Sequence, residues 1–177
     1  MSELKFIITG TAGVGKTTAI TALSDIPPVT TDAFTTDELA EVKETTTTAF
    51  DFGEILLDDN TTIRIYGTPG QERFRHMWEI LAEGALGLVI LVDHSRANPI
   101  DDLNVYLENF ENLVKQTAVV VGVTRADPED DDLEAYYLAL EERNINCPVM
   151  IVDPRERDDM VDLMDSLISY LEYADAS

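Results

Sequence analysis

Gly10-Thr11-Ala12-Gly13-Val14-Gly15-Lys16-Thr17 fits the spacing G-x-x-x-x-G-K-[ST], directly after the apolar run Leu4 to Ile8 and before a helix-prone stretch. The chemistry this spacing serves is phosphate binding. Glycines let successive backbone N–H groups turn inward on the α- and β-phosphates without a Cβ in the way, and the following helix offers its N-terminus to the anion. Ala12, Gly13, Val14 and Gly15 are therefore expected to cradle a nucleotide. Lys16 is expected to reach the β- and γ-phosphates, and Thr17 to ligate Mg²⁺ through its hydroxyl.

Such a loop needs a strand before it, a helix after it and a sheet to hold both. Strand and helix signals alternate along the chain, which predicts an α/β doubly wound sheet of the P-loop NTPase kind with helices on both faces. Strands are expected at Leu4 to Ile8, Ala49 to Leu57, Thr61 to Tyr66, Gly87 to Val92, Ala118 to Val123 and Val149 to Val152. The second and third flank Asp58-Asp59-Asn60, a hairpin-turn composition, so one antiparallel strand should interrupt an otherwise parallel six-stranded sheet. Apolar residues recur at helical spacing from Ile100 to Phe110, Leu133 to Leu140 and Met160 to Leu171. The stretch from Ser24 to Thr46 is irregular, with a short helix expected over 35–43 behind a Thr35/Glu38 capping box. Neither linker nor repeat divides the chain, so residues 1–177 are read as one domain.

Composition narrows the partners. The 177 residues are 45% hydrophobic, enough for a proper core, and carry a formal net charge of −23, which repels phosphodiester backbones and anionic lipid heads. Nucleic acid and membrane insertion are thus not expected. Cys147 stands alone, which excludes a disulfide framework and fits a buried small hydrophobe in a reducing compartment. No apolar stretch reaches membrane-spanning length and no lipidation signal is visible, so a soluble cytoplasmic protein is expected. Asp127 to Asp132 lacks the ligand spacing of a calcium loop and reads as a solvated rim with a helix cap. His76 and His94 read as surface or satisfied histidines.

Two further segments turn the loop into a device. Thr45-Thr46-Thr47-Thr48-Ala49-Phe50-Asp51-Phe52 enters a strand after the long irregular stretch, and Gly67-Thr68-Pro69-Gly70-Gln71-Glu72-Arg73-Phe74-Arg75 leaves the next one. They resemble switch I and switch II of Ras-like small GTPases. Thr-Pro-Gly-Gln in place of Asp-x-x-Gly-Gln, with the overlong first switch, is most similar to the bacterial gliding-motility (MglA-like) and roadblock-associated branch. A switch I hydroxyl and the Gly70 N–H can both meet the γ-phosphate and its Mg²⁺, so loss of that phosphate would release both loops. The resemblance implies Thr47 as the metal ligand, with Thr45, Thr46 and Thr48 neighbours of the same chemistry, and Gln71 as the residue orienting the attacking water.

Guanine recognition needs a carboxylate facing the base's N1–H and N2–H₂ donors. Val121-Gly122-Val123-Thr124-Arg125-Ala126-Asp127 matches the family's Asn-Lys-x-Asp with Thr124 for Asn and Arg125 for Lys, which implies Asp127 for that task. Asp153-Pro154-Arg155 corresponds to a fifth motif whose backbone N–H groups lie near the base oxygen. Gly67 departs from the family, where an acidic residue holds a Mg²⁺-bound water. Asp93 resembles a Walker B aspartate in a structural loop role, and Ala12 adds a methyl where an arginine supplied in trans would approach. Phe50, Phe52, Tyr66, Phe74 and Trp78 lie on or between the switches and suit either the core or an effector surface.

The implied activity is hydrolysis of GTP to GDP by a Mg²⁺-dependent molecular switch, slow without an activating partner and served by a roadblock-domain regulator. A nucleotide-loaded scaffold with negligible hydrolysis is the alternative. A small-molecule P-loop kinase would need an arginine-rich lid, and the helices after Asp93 are acidic.

Overall fold

The computed structural model describes residues 2–29, 51–57, 60–70, 75–129 and 131–175. Six strands form one sheet: β1 (Ser2–Gly10), β2 (Asp51–Leu56), β3 (Thr61–Gly67), β4 (Gly87–Asp93), β5 (Ala118–Thr124) and β6 (Val149–Ile151). Their order is β2-β3-β1-β4-β5-β6, parallel throughout except for the antiparallel β2–β3 pair. β4 and β5 are buried along their whole length, as near-continuous apolar runs at the centre of a parallel sheet require.

The helices are α1 (Lys16–Leu23), α2 (Arg75–Ala82), α3 (Pro99–Asn109), α4 (Glu111–Gln116), α5 (Glu134–Glu142) and α6 (Arg157–Asp175). On one face α1 and α6 bury Ile20, Leu23, Met160, Leu163 and Leu167 against Phe6, Ile8, Val89, Leu91 and Val120. On the other, α2 to α5 bury Trp78, Leu103, Leu107, Tyr136 and Leu140 against Ile7, Leu88, Ile90, Val92 and Val121. The alternation of Phe6, Ile7 and Ile8 between the two clusters is the period of two that a strand dictates. Among the described residues, no helix is long and apolar enough to cross a membrane.

The sequence reading anticipated the sheet but not α2 or α4. α2 starts after Phe74, inside what reads as a loop, and its apolar stripe is only Met77, Trp78 and Leu81. α4 has six residues with one fully buried, Leu113, too short for periodicity to register. Thr45 to Thr48, Phe50, Gln71, Phe74 and the short helix expected over 35–43 lie outside the described residues.

Trp78 joins this second face to the chain leaving β3. It is wholly buried, stacked on Tyr106 at 5.0 Å and Phe110 at 5.6 Å between ring centroids, and its indole N–H donates to the Pro69 carbonyl at 2.9 Å. Of the aromatics near the switch segments, Trp78 is therefore core, while Phe52 and Tyr66 pair on the sheet at 5.1 Å and remain half-buried. Trp78→Ala should cost about 3–5 kcal/mol in urea unfolding, from lost burial and the cavity left behind. Trp78→Phe, which keeps one stacked ring but loses the hydrogen bond and the volume of the second ring, should cost less, about 1–3 kcal/mol. Equal losses for the two would show that the stack contributes nothing.

Candidate functional site

β1 delivers the loop to the carboxyl edge of the parallel sheet, where ligands of open α/β folds bind. Gly13 and Gly15 hold φ of 80° and 115°, conformations that side chains with a Cβ rarely adopt. Gly15 is the N-cap of α1 and receives no side-chain cap, so the helix N-terminus opens into the loop as an anion site. Lys16 follows as the first helical residue and is 7% exposed. Its ammonium donates to the carbonyls of Gly10 at 2.5 Å and Thr11 at 2.8 Å. Burial lowers its pKa from 10.5 to about 8, opposed by the nearby Asp51 carboxylate.

The chain leaving β3 lies directly against the loop. The Thr9 and Thr68 hydroxyls share a 2.6 Å hydrogen bond, and the Thr68 N–H donates to the Ile8 carbonyl at 3.0 Å. A Cβ on Gly70 would sit 2.7 Å from Ala12 N and Cα and 2.9 Å from Lys16 Nζ, so only glycine fits there. Thr17, expected to ligate metal, donates its hydroxyl to Asp51 Oδ2 at 2.5 Å. A hydroxyl and a carboxylate are the hard oxygen donors that Mg²⁺ takes, alongside nucleotide phosphates. Among the described residues, no group of three or more His, Cys, Asp or Glu forms a metal cage by itself. The site therefore suits an ion shared with a bound nucleotide.

Beside the loop opens a cavity of about 710 Å³, walled by Val14, Gly15 and Thr18 on one side and by the ends of β5 and β6 on the other. Thr124, Arg125, Asp153, Pro154 and Arg155 all line it. Arg125, at φ 56°, spans the two sides: its guanidinium pairs with Asp93 at 2.5 Å and donates to the Gly13 carbonyl at 3.1 Å. Asp93 also accepts from the Ser95 N–H and hydroxyl at 2.9 and 2.6 Å. Burial pushes its carboxyl up, but the Ser95 hydrogen bonds and the Arg125 charge outweigh this and hold it below the usual carboxylate range. Asp93 thus braces the loop, as its structural reading expected, and Arg125, the counterpart of the family's Lys, clamps the loop to it.

Asp127 is exposed and is not among the residues that line the cavity, although its neighbours Ala126 and Pro128 are; its Oδ1 accepts the Glu129 N–H at 2.9 Å. In the acidic run Asp131 accepts from the Asp127 N–H at 2.7 Å and Asp132 from the Glu134 N–H at 3.1 Å, but the N-cap of α5 is Leu133, without a side-chain cap, rather than a residue of the run. The fifth motif differs from its expectation. The Asp153 N–H donates to Asp159 at 2.9 Å, the Arg155 N–H to Asp153 at 3.0 Å, and Pro154 has none. These backbone donors are engaged within the segment, which serves the cavity as wall. Hydrogen bonds from Arg155 hold the Asp153 carboxyl down at about 2.

Three polar arrangements escaped the sequence reading. His94 is satisfied between the Tyr136 hydroxyl at 2.7 Å and Asp131 at 3.3 Å, partners remote in sequence. Arg96, paired with Asp102 at 2.6 Å, borders a 190 Å³ cavity with Thr11, Ala12 and Gly70. Asp51 reaches Thr17 across 34 positions. Cys147 is buried as expected, and burial pushes its thiol up to about 12.

This arrangement of loop, helix N-terminus and flanking cavity is that of a nucleotide-binding P-loop domain. A family model described as conserved hypothetical ATP binding protein matches residues 8–172. The chain belongs to that family. An uncharacterized protein of Methanocaldococcus jannaschii is 28% identical over 138 residues, covering 76% of this chain and 78% of its own. Similarity also extends to the GTP-binding protein YPT1 of Saccharomyces cerevisiae, 26% identical over 80% of this chain. The Ras-related protein RABE1e of Arabidopsis thaliana is 27% identical over 72%. The matches span 65% and 55% of these last two proteins.

The buried ammonium sets a pH dependence with two signs. Between about 8 and 10.5 the unfolded chain holds a proton that folded Lys16 has lost, so its contribution to stability rises with pH through that window; below about 8 its burial cost is constant. A phosphate ligand needs the charged form, so triphosphate affinity should fall above pH 8, approaching tenfold per pH unit. Lys16→Met should bind triphosphate poorly and lose both dependences. Calorimetric titration with nucleotide and urea titration across pH 7 to 10.5 read the two signs separately.

Proposed function

We propose that this protein is a GTP-binding molecular switch that hydrolyses GTP to GDP with Mg²⁺, slowly when alone. The observation that carries the reading is the contact of Gly70 with Ala12 and Lys16, where a Cβ would lie under 3 Å from both. A chain segment packed this closely on the phosphate loop feels whether a γ-phosphate is present. Its next residue is Gln71, which has the chemistry to orient the attacking water. Bound Mg²⁺ would neutralise charge on the β- and γ-phosphates, Thr17 and Thr47 holding it and Lys16 countering the remaining charge.

The family description names ATP, whereas several relatives are named as GTP-binding. Guanine is favoured by Asp127, whose carboxylate accepts the Glu129 N–H and which lies in sequence between Ala126 and Pro128 of the 710 Å³ cavity wall. A carboxylate matches two adjacent guanine donors, and adenine has no such pair on that edge. GDP should therefore bind at least about tenfold, or about 1.4 kcal/mol, tighter than ADP, and Asp127→Asn should relax the preference. Equal affinities in calorimetry, or ADP extracted from the purified protein, would end the guanine assignment.

Ala12 crowds the approach of an arginine from a partner, which supports modest turnover. The gliding-motility and roadblock-associated resemblance supports a roadblock-domain protein as the regulator that orders the segment around Gln71, with an effector at the switch surface. Phosphate release should be slow alone and faster with such a protein, and the gain should vanish in Gln71→Leu. Rapid unaided release, or stimulation that survives that substitution, overturns the mechanism and leaves a nucleotide-loaded scaffold.

A further inference from the structure

In the antiparallel β2–β3 pair, Asp51 is the register partner of Gly67, the position whose family counterpart is acidic. Residues directly opposite in such a pair bring their Cβ atoms within about 5 Å of each other, so either strand can supply a group to the same space. Here the space is taken from β2. A Cβ built on Gly67 would lie 3.3 Å from Asp51 Cβ, 3.7 Å from Asp51 Oδ2 and 2.8 Å from Ile20 Cδ1. A side chain at 67 would overlap Ile20 Cδ1 and crowd the acidic one already present.

Asp51 does not face solvent, being 7% exposed at the start of β2. Its Oδ2 accepts the hydroxyl of Thr17, the residue the loop motif gives to the metal, and its charge acts on the Lys16 ammonium. A carboxylate this buried is costly unless charges or ligands compensate it. Both the donor type and the neighbours suit a hard divalent cation at the phosphate end of the loop.

We propose that Asp51 replaces, from β2, the carboxylate absent at Gly67, and holds the Mg²⁺ of the bound nucleotide together with Thr17. The inference rests on the nucleotide-and-magnesium reading above. It moves the metal-holding carboxylate to the neighbouring strand, so the acidic function of the site survives a glycine in β3. It also ties β2, the strand that continues the first switch segment, to the metal.

The test uses Mn²⁺ as the probe, read by electron paramagnetic resonance on the full-length GDP-loaded protein, with release of a fluorescent GDP in Mg²⁺ and in EDTA as a second readout. Asp51→Asn keeps an oxygen for the Thr17 hydroxyl and removes the charge. It should weaken Mn²⁺ binding by about 10–100-fold and let GDP leave in Mg²⁺ as fast as it leaves in EDTA. A swap combining Asp51→Gly, Gly67→Asp and Ile20→Val, which clears the two contacts at position 67, should recover Mn²⁺ binding and decides the matter should the amide variant fail to fold. Wild-type-like Mn²⁺ affinity and Mg²⁺-slowed release in Asp51→Asn overturn the role of Asp51 alone. Wild-type protein that holds GDP equally with Mg²⁺ and EDTA overturns the magnesium reading and this inference with it.

Discussion

A buried ammonium is the constraint that the rest of the site obeys. Lys16 begins α1 beneath the phosphate loop at 7% exposure, and a lysine stripped of water must find oxygen. It finds the carbonyls of Gly10 and Thr11, which curls the loop around its own positive charge. Position 70 must then be glycine, because the ammonium and Ala12 occupy the volume a side chain would need. Asp51 answers the same charge from β2. Loop, helix start, β2 and the chain after β3 are thereby assembled around one nitrogen, which a phosphate ligand would reclaim.

The scaffold beyond the loop is organised to hold these parts still. The central strands are apolar on both faces, and the polar atoms at their carboxyl ends are engaged: Thr9 with Thr68, Asp93 with Ser95 and Arg125, Trp78 with Pro69. The Thr9–Thr68 and Asp93–Arg125 bonds join elements 59 and 32 positions apart. Such links exact the least conformational freedom when their bearers are already fixed by packing, which the two hydrophobic layers supply.

Much of the sheet was legible because its strands are apolar runs bounded by turn residues, and the phosphate loop because its motif is local. What escaped was set by register or distance. Asp51 belongs, by local pattern, to the strand entered from the first switch; only its pairing with Gly67 turns it toward Thr17. The Asp93–Arg125 pair spans 32 positions, and His94 meets Tyr136 across 42. Helix α2 was hidden because Trp78 is recruited by stacking on α3, a tertiary preference that outweighs a weak local one. In the fifth motif, carboxylates at 153 and 159 accept from the backbone donors, a pairing that local pattern does not reveal.

The guanidinium of Arg125, fastened to both Gly13 and Asp93, ties the phosphate loop to the cavity wall at the end of β5. A ligand's two halves then meet their walls at a separation fixed before binding. Once either half docks, the other is held at high effective concentration over its own subsite, and the ordering of the cleft has been met in folding rather than in binding. Modest contacts at each end can thus sum to a long residence time for the whole molecule, while either fragment alone would leave quickly.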